Sequence, residues 1–251
     1  MRMTPTVALA LALVSLVARP APAEEAVTPA RSVIDRAIEA AGGEARLSRF
    51  KAAEWTCKGT GHASTALDFT DRYFVQWPEQ FRHESAIEVK GQKFERALVL
   101  NGERGWIRQD GATVPMDEAA VAELRDKVHV LRLAATLLPL KEKDVTLKPL
   151  DDVKIDGRPA AGVTASCPDH PDLHLYFDKD KGLLLKCERT VKDPLLGKVS
   201  EETFFDDYQE VEGVQVARKV SVKRDGKPFL DWSVTDFQVR AKLDRGLFGR
   251  P

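Results

Sequence analysis

The side chains able to do chemistry are few and poorly spaced for it. The five histidines are His62, His83, His129, His170 and His174, and of these only the last two fall four residues apart. They flank Pro171 and run into a strand pattern, so they cannot share a helical face as zinc ligands do, and both read as surface turn residues. Asp206 and Asp207 are the residue types for paired acid–base work. Neighbours along a strand point to opposite faces, however, so an unbroken strand keeps these two from lining one site. Cys57, Cys167 and Cys187 fit no metal spacing. No glycine-rich phosphate loop, G-x-S-x-G elbow or Cys–His arrangement occurs. The expectation is a protein that is not an enzyme, holds no metal or cofactor, and binds.

What it binds is constrained by charge and compartment. The 251 residues carry 38 Lys and Arg against 39 Asp and Glu, a net of −1, which argues against nucleic acid because neutralising phosphates takes a surplus of cations. The first 23 residues, MRMTPTVALALALVSLVARPAPA, have a cation at Arg2, an apolar stretch from Val7 to Val17, and Ala21 and Ala23 around Pro22. That is a signal-peptide layout, and the apolar stretch is shorter than the roughly 20 residues of a spanning helix. Residues 1–23 are therefore expected to be cleaved on export to the periplasm, leaving 24–251 as one domain with no permanent membrane anchor. A retained N-terminal anchor is the alternative. Cleavage removes Arg2 and Arg19 but no acid, so 36 cations face 39 anions, a net of −3.

Export places the cysteines in an oxidising compartment, where an odd number leaves at least one thiol unpaired in a monomer. By alternation Cys167 shares a face with Val163, and Cys187 shares one with Leu183 and Leu185, so both point inward. Buried free thiols are the default reading for all three, with a Cys167–Cys187 bridge as the sharper alternative.

The elements that position these residues follow from periodicity. Thr28 caps and Pro29 opens a helix over about 29–41, with Val33, Ile34, Ala37, Ile38 and Ala41 at helical spacing and Gly42-Gly43 ending it. A short helical turn follows near Ala45 to Phe50. From Ala52 to Arg108 the pattern has period two and breaks at Gly59 to His62, Trp77-Pro78, Lys90-Gly91 and Asn101-Gly102, which predicts about five antiparallel strands. Residues 116–138 then form a long amphipathic helix opening on Asp117 and Glu118 and stopped by Pro139. From Val145 to Val239 seven more strands are separated by Asp156-Gly157, His170-Pro171, Lys181-Gly182, Glu212-Gly213 and Asp225-Gly226. Leu243, Leu247 and Phe248 tuck the C-terminus back.

The result is a mainly β, α+β chain: one large antiparallel sheet of about eleven or twelve strands covered by two to three helices. A sheet this large must curl, and its concave side needs those helices as a cover. The stretch Val130 to Leu140 is apolar nearly all round, more than a helix with one wet face requires. Burial against the sheet and contact with a ligand both fit it. Among the aromatic and aliphatic residues, Trp55, Phe69, Phe94, Trp106, Leu131, Leu138, Phe177 and Trp232 are the candidates for lining a cavity beneath this helix.

The segments SRFKAAEW, PEQFRHE, LNGERGW, LYFDKDKGLLLKCE, ETFFDDYQEVEGVQVARKV and KLDRGLF resemble the periplasmic lipoprotein-carrier (LolA/LolB-like) superfamily, and the last segments resemble its exported, carrier-like members. The resemblance implies an incomplete barrel of about eleven strands whose apolar interior accepts acyl chains. A lipid or acylated protein is then the implied ligand, and outer-membrane lipoprotein sorting the implied role. A non-catalytic envelope sensor or protein-interaction module on the same fold is the alternative. One departure stands out: where the carriers place a lid-closing Arg before Pro, this chain has Trp77, with Arg82 five residues on as the substitute to consider.

Overall fold

A computed structural model describes residues 28–62, 65–193 and 196–251; the signal-peptide layout of residues 1–23 lies outside them. Helix α1 (Pro29–Ala40) is capped by the Thr28 hydroxyl, which accepts from the Arg31 amide, and is followed by the single turn α2 (Glu44–Leu47). The first run of strands is β1 (Ala52–His62), β2 (Ala66–Gln76), β3 (Gln80–Val89), β4 (Gln92–Asn101), β5 (Arg104–Gln109) and β6 (Ala112–Pro115). Helix α3 (Glu118–Thr136) comes next, with Asp117 accepting from the Ala120 amide at 2.8 Å and Leu137 ending it in the left-handed region. The second run is β7 (Thr146–Ile155), β8 (Arg158–Ser166), β9 (Leu173–Asp178), β10 (Leu184–Asp193), β11 (Gly197–Val211), β12 (Val214–Arg224) and β13 (Lys227–Arg240).

All thirteen strands join one antiparallel sheet in the order β6-β5-β4-β3-β2-β1-β13-β12-β11-β10-β9-β8-β7. The chain starts at the centre, meanders to one edge, crosses to the other through α3, and meanders back. Twelve inter-strand gaps would span roughly 58 Å if flat, at about 4.8 Å each. The 19 residues of α3 reach roughly 28 Å. The sheet must therefore curl to bring its edges within reach of one helix. Each edge strand has a single neighbour, so the barrel stays open.

Turn chemistry sets the register. Lys90-Gly91, Asp156-Gly157, Glu212-Gly213 and Asp225-Gly226 have positive φ at both positions, as the tight hairpin turn that matches strand twist requires. Asp110-Gly111 does the same. That pair is absent from the breaks named above, which is why short β6 is the strand beyond the twelve expected.

α3 sits between two cores. Its Val121, Leu124 and Val128 pack with Phe50, Ala53, Val75, Phe81 and Leu100. Its Leu133, with Leu137 and Leu140 beyond it, packs with Ile34 and Ile38 of α1 and with Val163, Leu173, Leu175 and Phe177. On the opposite face of the sheet the C-terminal segment closes over Ala52 and Phe74 through Leu243 and Phe248. Arg82 lies on that outer face and donates to the Leu247 carbonyl at 3.1 Å, so it ties down the tail and is no latch for the helix. Trp77 instead packs against the core around Val121, Leu124 and Val128.

The three cysteines are buried and free, with no Cys167–Cys187 bridge. Cys187 faces the same core as Leu184, while Leu185 faces the other side, contrary to the simple alternation. An irregularity between Leu184 and Lys186 shifts the register and flips the intervening residue.

Candidate functional site

On the helix-facing side, alternate residues of β13, β1, β2, β3 and β4 align in cross-strand rows. The row beneath α3 is Val239, Ala53, Val75, Phe81 and Leu100. The next is Phe237, Trp55, Tyr73, His83 and Leu98. In it Trp55 stacks on Tyr73 at 4.8 Å and Tyr73 on His83 at 4.4 Å, a ring ladder that makes a rigid floor. A polar row follows, containing Cys57, Asp71, Ser85 and Arg96. Beyond it lies an apolar row of Trp232, Gly59, Phe69, Ile87 and Phe94. A methyl group on Gly59 would stand 2.1 Å from the Asp231 carbonyl oxygen, 2.6 Å from Trp232 Cβ and 2.7 Å from Phe69 Cζ, so glycine is what lets β13 and the Phe69 ring come this close to β1.

Of the candidate lining residues, Phe69, Phe94 and Trp232 thus come together in one row, with Trp55 two rows below. Phe94 is 41% exposed and Phe69 and Trp232 are half-buried. Leu131 packs in the core shared with Val121, and Leu138 against the core shared with α1. Phe177 is a fully buried member of that second core. Trp106 does not join them: it pairs with Val99 and Pro115, one step out of phase with the Leu98–Ile107 pair, so its side chain is on the outer face.

The polar row is the part that motif reading misses. Asp71 is 6% exposed, and its Oδ2 lies 2.7 Å from His83 Nε2 and 3.3 Å from the Tyr73 hydroxyl, which donates to it. Burial alone would raise the Asp71 carboxyl, but the His83 contact outweighs it and holds the group below the ordinary carboxylate range. Burial lowers His83 from its usual value despite Asp71, so the pair is a carboxylate beside a neutral imidazole that donates through Nε2. Ser85 adds only a weak contact, for no donor reaches Asp71 Oδ1 at hydrogen-bond geometry. Acid, imidazole and hydroxyl match acyl-transfer triads in residue type only. There the imidazole lies between acid and hydroxyl, whereas here the acid lies between His83 and Ser85. Cys57, directly across from Asp71, is pushed up to about 12 by burial and by that carboxylate, which leaves its thiol unreactive.

Across the concavity a second buried acid, Glu201, is 7% exposed. Its Oε1 accepts from Arg189 Nη2 at 2.8 Å and its Oε2 from Arg224 Nη2 at 2.9 Å. Burial opposes ionisation, and the Arg189 charge overcomes it and keeps Glu201 below its ordinary range.

Between the two acids comes Lys127 of α3. It precedes Val130 by three residues and Leu131 by four, and those two belong to different cores, so Lys127 points between them. Its ammonium interacts with Asp71 and Glu201 on the two walls and with Arg189 and Arg96. More than a third of its surface is accessible, yet the surrounding protein desolvates the amine enough to lower it from the usual lysine value. Lys127 thus keeps accessible surface while its amine lies among charged groups of both walls. Alternation held a signal for this cluster. Asp71 interrupts the apolar series Leu67, Phe69, Tyr73, Val75, and Glu201 interrupts Val199, Thr203, Phe205; a polar residue at a core position is the informative exception.

Two further cavities lie at the periphery. One of about 540 Å³ is bordered by Arg158, Asp178, Tyr208 and both Asp206 and Asp207. Asp207 has φ +53, which breaks the pleat and overturns the expectation that adjacent aspartates cannot share a site. The other, of about 400 Å³, lies on the outer flank of α3 beside Arg125, His129 and Cys167. There His170 is no free turn residue: its Nδ1 is 2.6 Å from Asp126 Oδ1 and its ring stacks on His129 at 3.9 Å, pinning α3 to the β8–β9 connection. Among the described residues no group of three His, Cys, Asp or Glu could hold a metal ion, and no helix is long and apolar enough to cross a membrane.

No protein-family model matches the sequence, and no curated protein matches it. Solved structures do. A LolA superfamily protein from Nitrosomonas europaea superposes with a TM-score of 0.56 at 10% identity, over 88% of this chain and 97% of its own. A domain named for outer membrane lipoprotein sorting, from Vibrio parahaemolyticus, gives 0.54 at 9% identity, over 86% and 97%. A DUF1329 family protein from Desulfovibrio piger gives 0.55 at 10%, over 88% and 97%. At such identities the likeness speaks to architecture alone, and with the open, helix-covered sheet it establishes that this chain has the LolA-like fold.

Proposed function

We propose that this protein is an exported, non-catalytic binding protein that takes the acyl chain of a lipid or lipidated protein into the concavity beneath α3. The observation that carries this reading is the apolar row of Trp232, Phe69, Ile87 and Phe94, which faces the concavity and belongs to none of the helix-packed cores. Half-exposed rings on the inner face of a curled sheet gain by being covered, and a ligand that covers them needs no specific polar contact. At roughly 0.8 kcal/mol per buried methylene, ten methylenes supply about 8 kcal/mol before ordering costs. The signal-peptide layout and the fold shared with a lipoprotein-sorting domain support the same reading, and favour the periplasm as the site of action.

Native mass spectrometry of protein isolated without detergent, together with uptake of a dansylated fatty acid, tests it. The expected outcome is an acyl-lipid adduct and saturable uptake that Phe69→Glu abolishes. A protein that carries no adduct and takes up no fatty acid overturns the reading, and capture of a stable envelope protein by that ligand-free form would support the interaction-module alternative.

A further inference from the structure

The sheet is open between its edges, and on the outer flank of α3 the two sides of that seam approach each other. The cavity of about 400 Å³ there is bordered by Glu79 and Leu100 from the chain before α3 and by Val145 and Cys167 from the chain after it. At this level α3 belongs to the first side, since Val121, Leu124 and Val128 pack in the core with Val75, Phe81 and Leu100. What ties it to the second side is His170 of the β8–β9 connection. Its ring stacks on His129 at 3.9 Å, nearly parallel, and its Nδ1 lies 2.6 Å from Asp126 Oδ1.

This tie tolerates one charge and not two. Two imidazolium rings face to face at that distance repel, and a charged imidazole needs an acceptor at each nitrogen. His129 Nε2 is buried and has no hydrogen-bond partner among the described residues. On α3 the charged groups facing the stack are Arg125, Asp126 and Arg132, with Arg125 held by the Gly102 carbonyl at 3.1 Å and Arg132 by Glu142 at 3.3 Å. Glu79 faces it from the β2–β3 turn, Glu142 and Asp144 from the segment after α3, and Cys167 and Asp169 from the β8–β9 connection. Burial, then His170 and Arg132, push His129 down from 6.5 to about 4, against the pull of Asp126. A His129 ring released into water regains its ordinary affinity for a proton, so acid favours any state in which the rings separate.

We propose that the His129–His170 stack is an acid-released clasp on the seam of the open barrel: protonation of both rings parts them, and the β8–β9 side swings away from the middle of α3. The movement opens a side entrance to the space beneath the helix. Leu133 and Leu137 keep the end of α3 packed against α1, so the motion pivots there and the helix is not set free. Linkage gives its size. With His129 at about 4 in the closed seam and 6.5 in the open one, the ratio of open to closed rises about 25-fold between about pH 7.5 and pH 5. The clasp needs no ligand, so it stands or falls separately from the acyl-binding reading.

Cys167 borders the cavity and is 8% exposed, so its thiol reports the opening without an added label. Modification of the purified protein by 4,4′-dithiodipyridine, which attacks thiols in acid as well as at neutral pH, is followed by peptide mass spectrometry and referred to glutathione at each pH. The rate at Cys167 is expected to rise roughly tenfold or more from about pH 7.5 to pH 5, while buried Cys57 and Cys187 stay unmodified. His129→Phe should hold that rise within about twofold, and His170→Ala should react at neutral pH as fast as the wild type does in acid, with circular dichroism verifying that both fold. No rise in the wild type, an equal rise in a folded His129→Phe, or a slow neutral reaction in a folded His170→Ala overturns the clasp. Acid modification of all three thiols together also overturns it, because it marks global unfolding in place of a local opening.

Discussion

The inner face of the sheet holds two buried carboxylates, one in each half, in opposite states of satisfaction. Glu201 in the C-terminal half has each oxygen occupied by a separate guanidinium. Asp71 in the N-terminal half has one oxygen bound by His83 and Tyr73 and the other bare. A saturated buried acid is a structural joint, here tying β10, β11 and β12 together. A half-saturated one is an opening for something else. The difference separates the part of the concavity that holds the fold from the part that is available to a ligand.

The sharpest way to break this comparison is Glu201→Ala. Removing it strips the part-buried Arg189 of its carboxylate and leaves Arg224 to Asp193 alone, and breaking a buried pair at one partner costs about 3 kcal/mol. Urea unfolding should show that loss; a change under about 1 kcal/mol would mean that the joint is decorative. Asp71→Asn keeps an acceptor for His83 and removes an oxygen that no donor occupied, so its cost is smaller, about 1–2 kcal/mol. If Asp71→Asn equals or exceeds Glu201→Ala in the same assay, the distinction between joint and opening fails.

Acid provides a third test. The folded pKa values of His83 and His129 are lowered from 6.5 by burial, that of His129 to about 4. The unfolded chain therefore takes up protons that the folded one refuses, and stability falls as pH drops from about 6.5 toward 4. Asp71 and Glu201 have lowered folded values, so their contribution is present above the ordinary carboxylate range and disappears as pH falls through those lowered values. Both effects have the same sign, giving a two-stage acid loss in melting temperature. His129→Phe, which retains a ring against His170, should flatten the first stage; an unchanged slope would show that His129 does not drive it.

The smallest effects belong at the periphery. Arg82→Ala should cost about 1 kcal/mol by releasing the C-terminal segment from β3, read as earlier proteolytic trimming of the tail. Phe94→Ser should change stability by no more than about 0.5 kcal/mol, since the ring is 41% exposed and packs in none of the helix-covered cores, while weakening fatty-acid uptake. A Phe94→Ser protein that destabilises strongly would reassign the apolar row from site to core.

Much of the architecture is legible along the chain because its signals are local. Thr28-Pro29 and Asp117 start the helices by satisfying or dispensing with amides that have no helical partner, and the X-Gly pairs set hairpins because only a few residue types tolerate positive φ. β6 escapes the strand pattern because it is four residues long and its one clear signal is the Asp110-Gly111 turn. Both alternation errors are departures from the pleat: between Leu184 and Lys186 the register shifts, while at Asp207 a left-handed residue redirects its own side chain and the register on either side is kept.

The candidate site is legible only in part. Asp71 lies twelve residues from His83 and far from Lys127 and Glu201, and no local pattern says that they converge. Along the chain itself one can read the helices, every strand but β6, their order and the apolar face of the regular ones, since these follow from backbone sterics and nearest-neighbour periodicity. Which rows stack across the sheet, how far the sheet curls, and which cations meet which acids inside it were decided only by the tertiary structure. A single helix of roughly 28 Å must join the two edges of a thirteen-strand sheet, and that constraint exists nowhere along the chain until the sheet is formed.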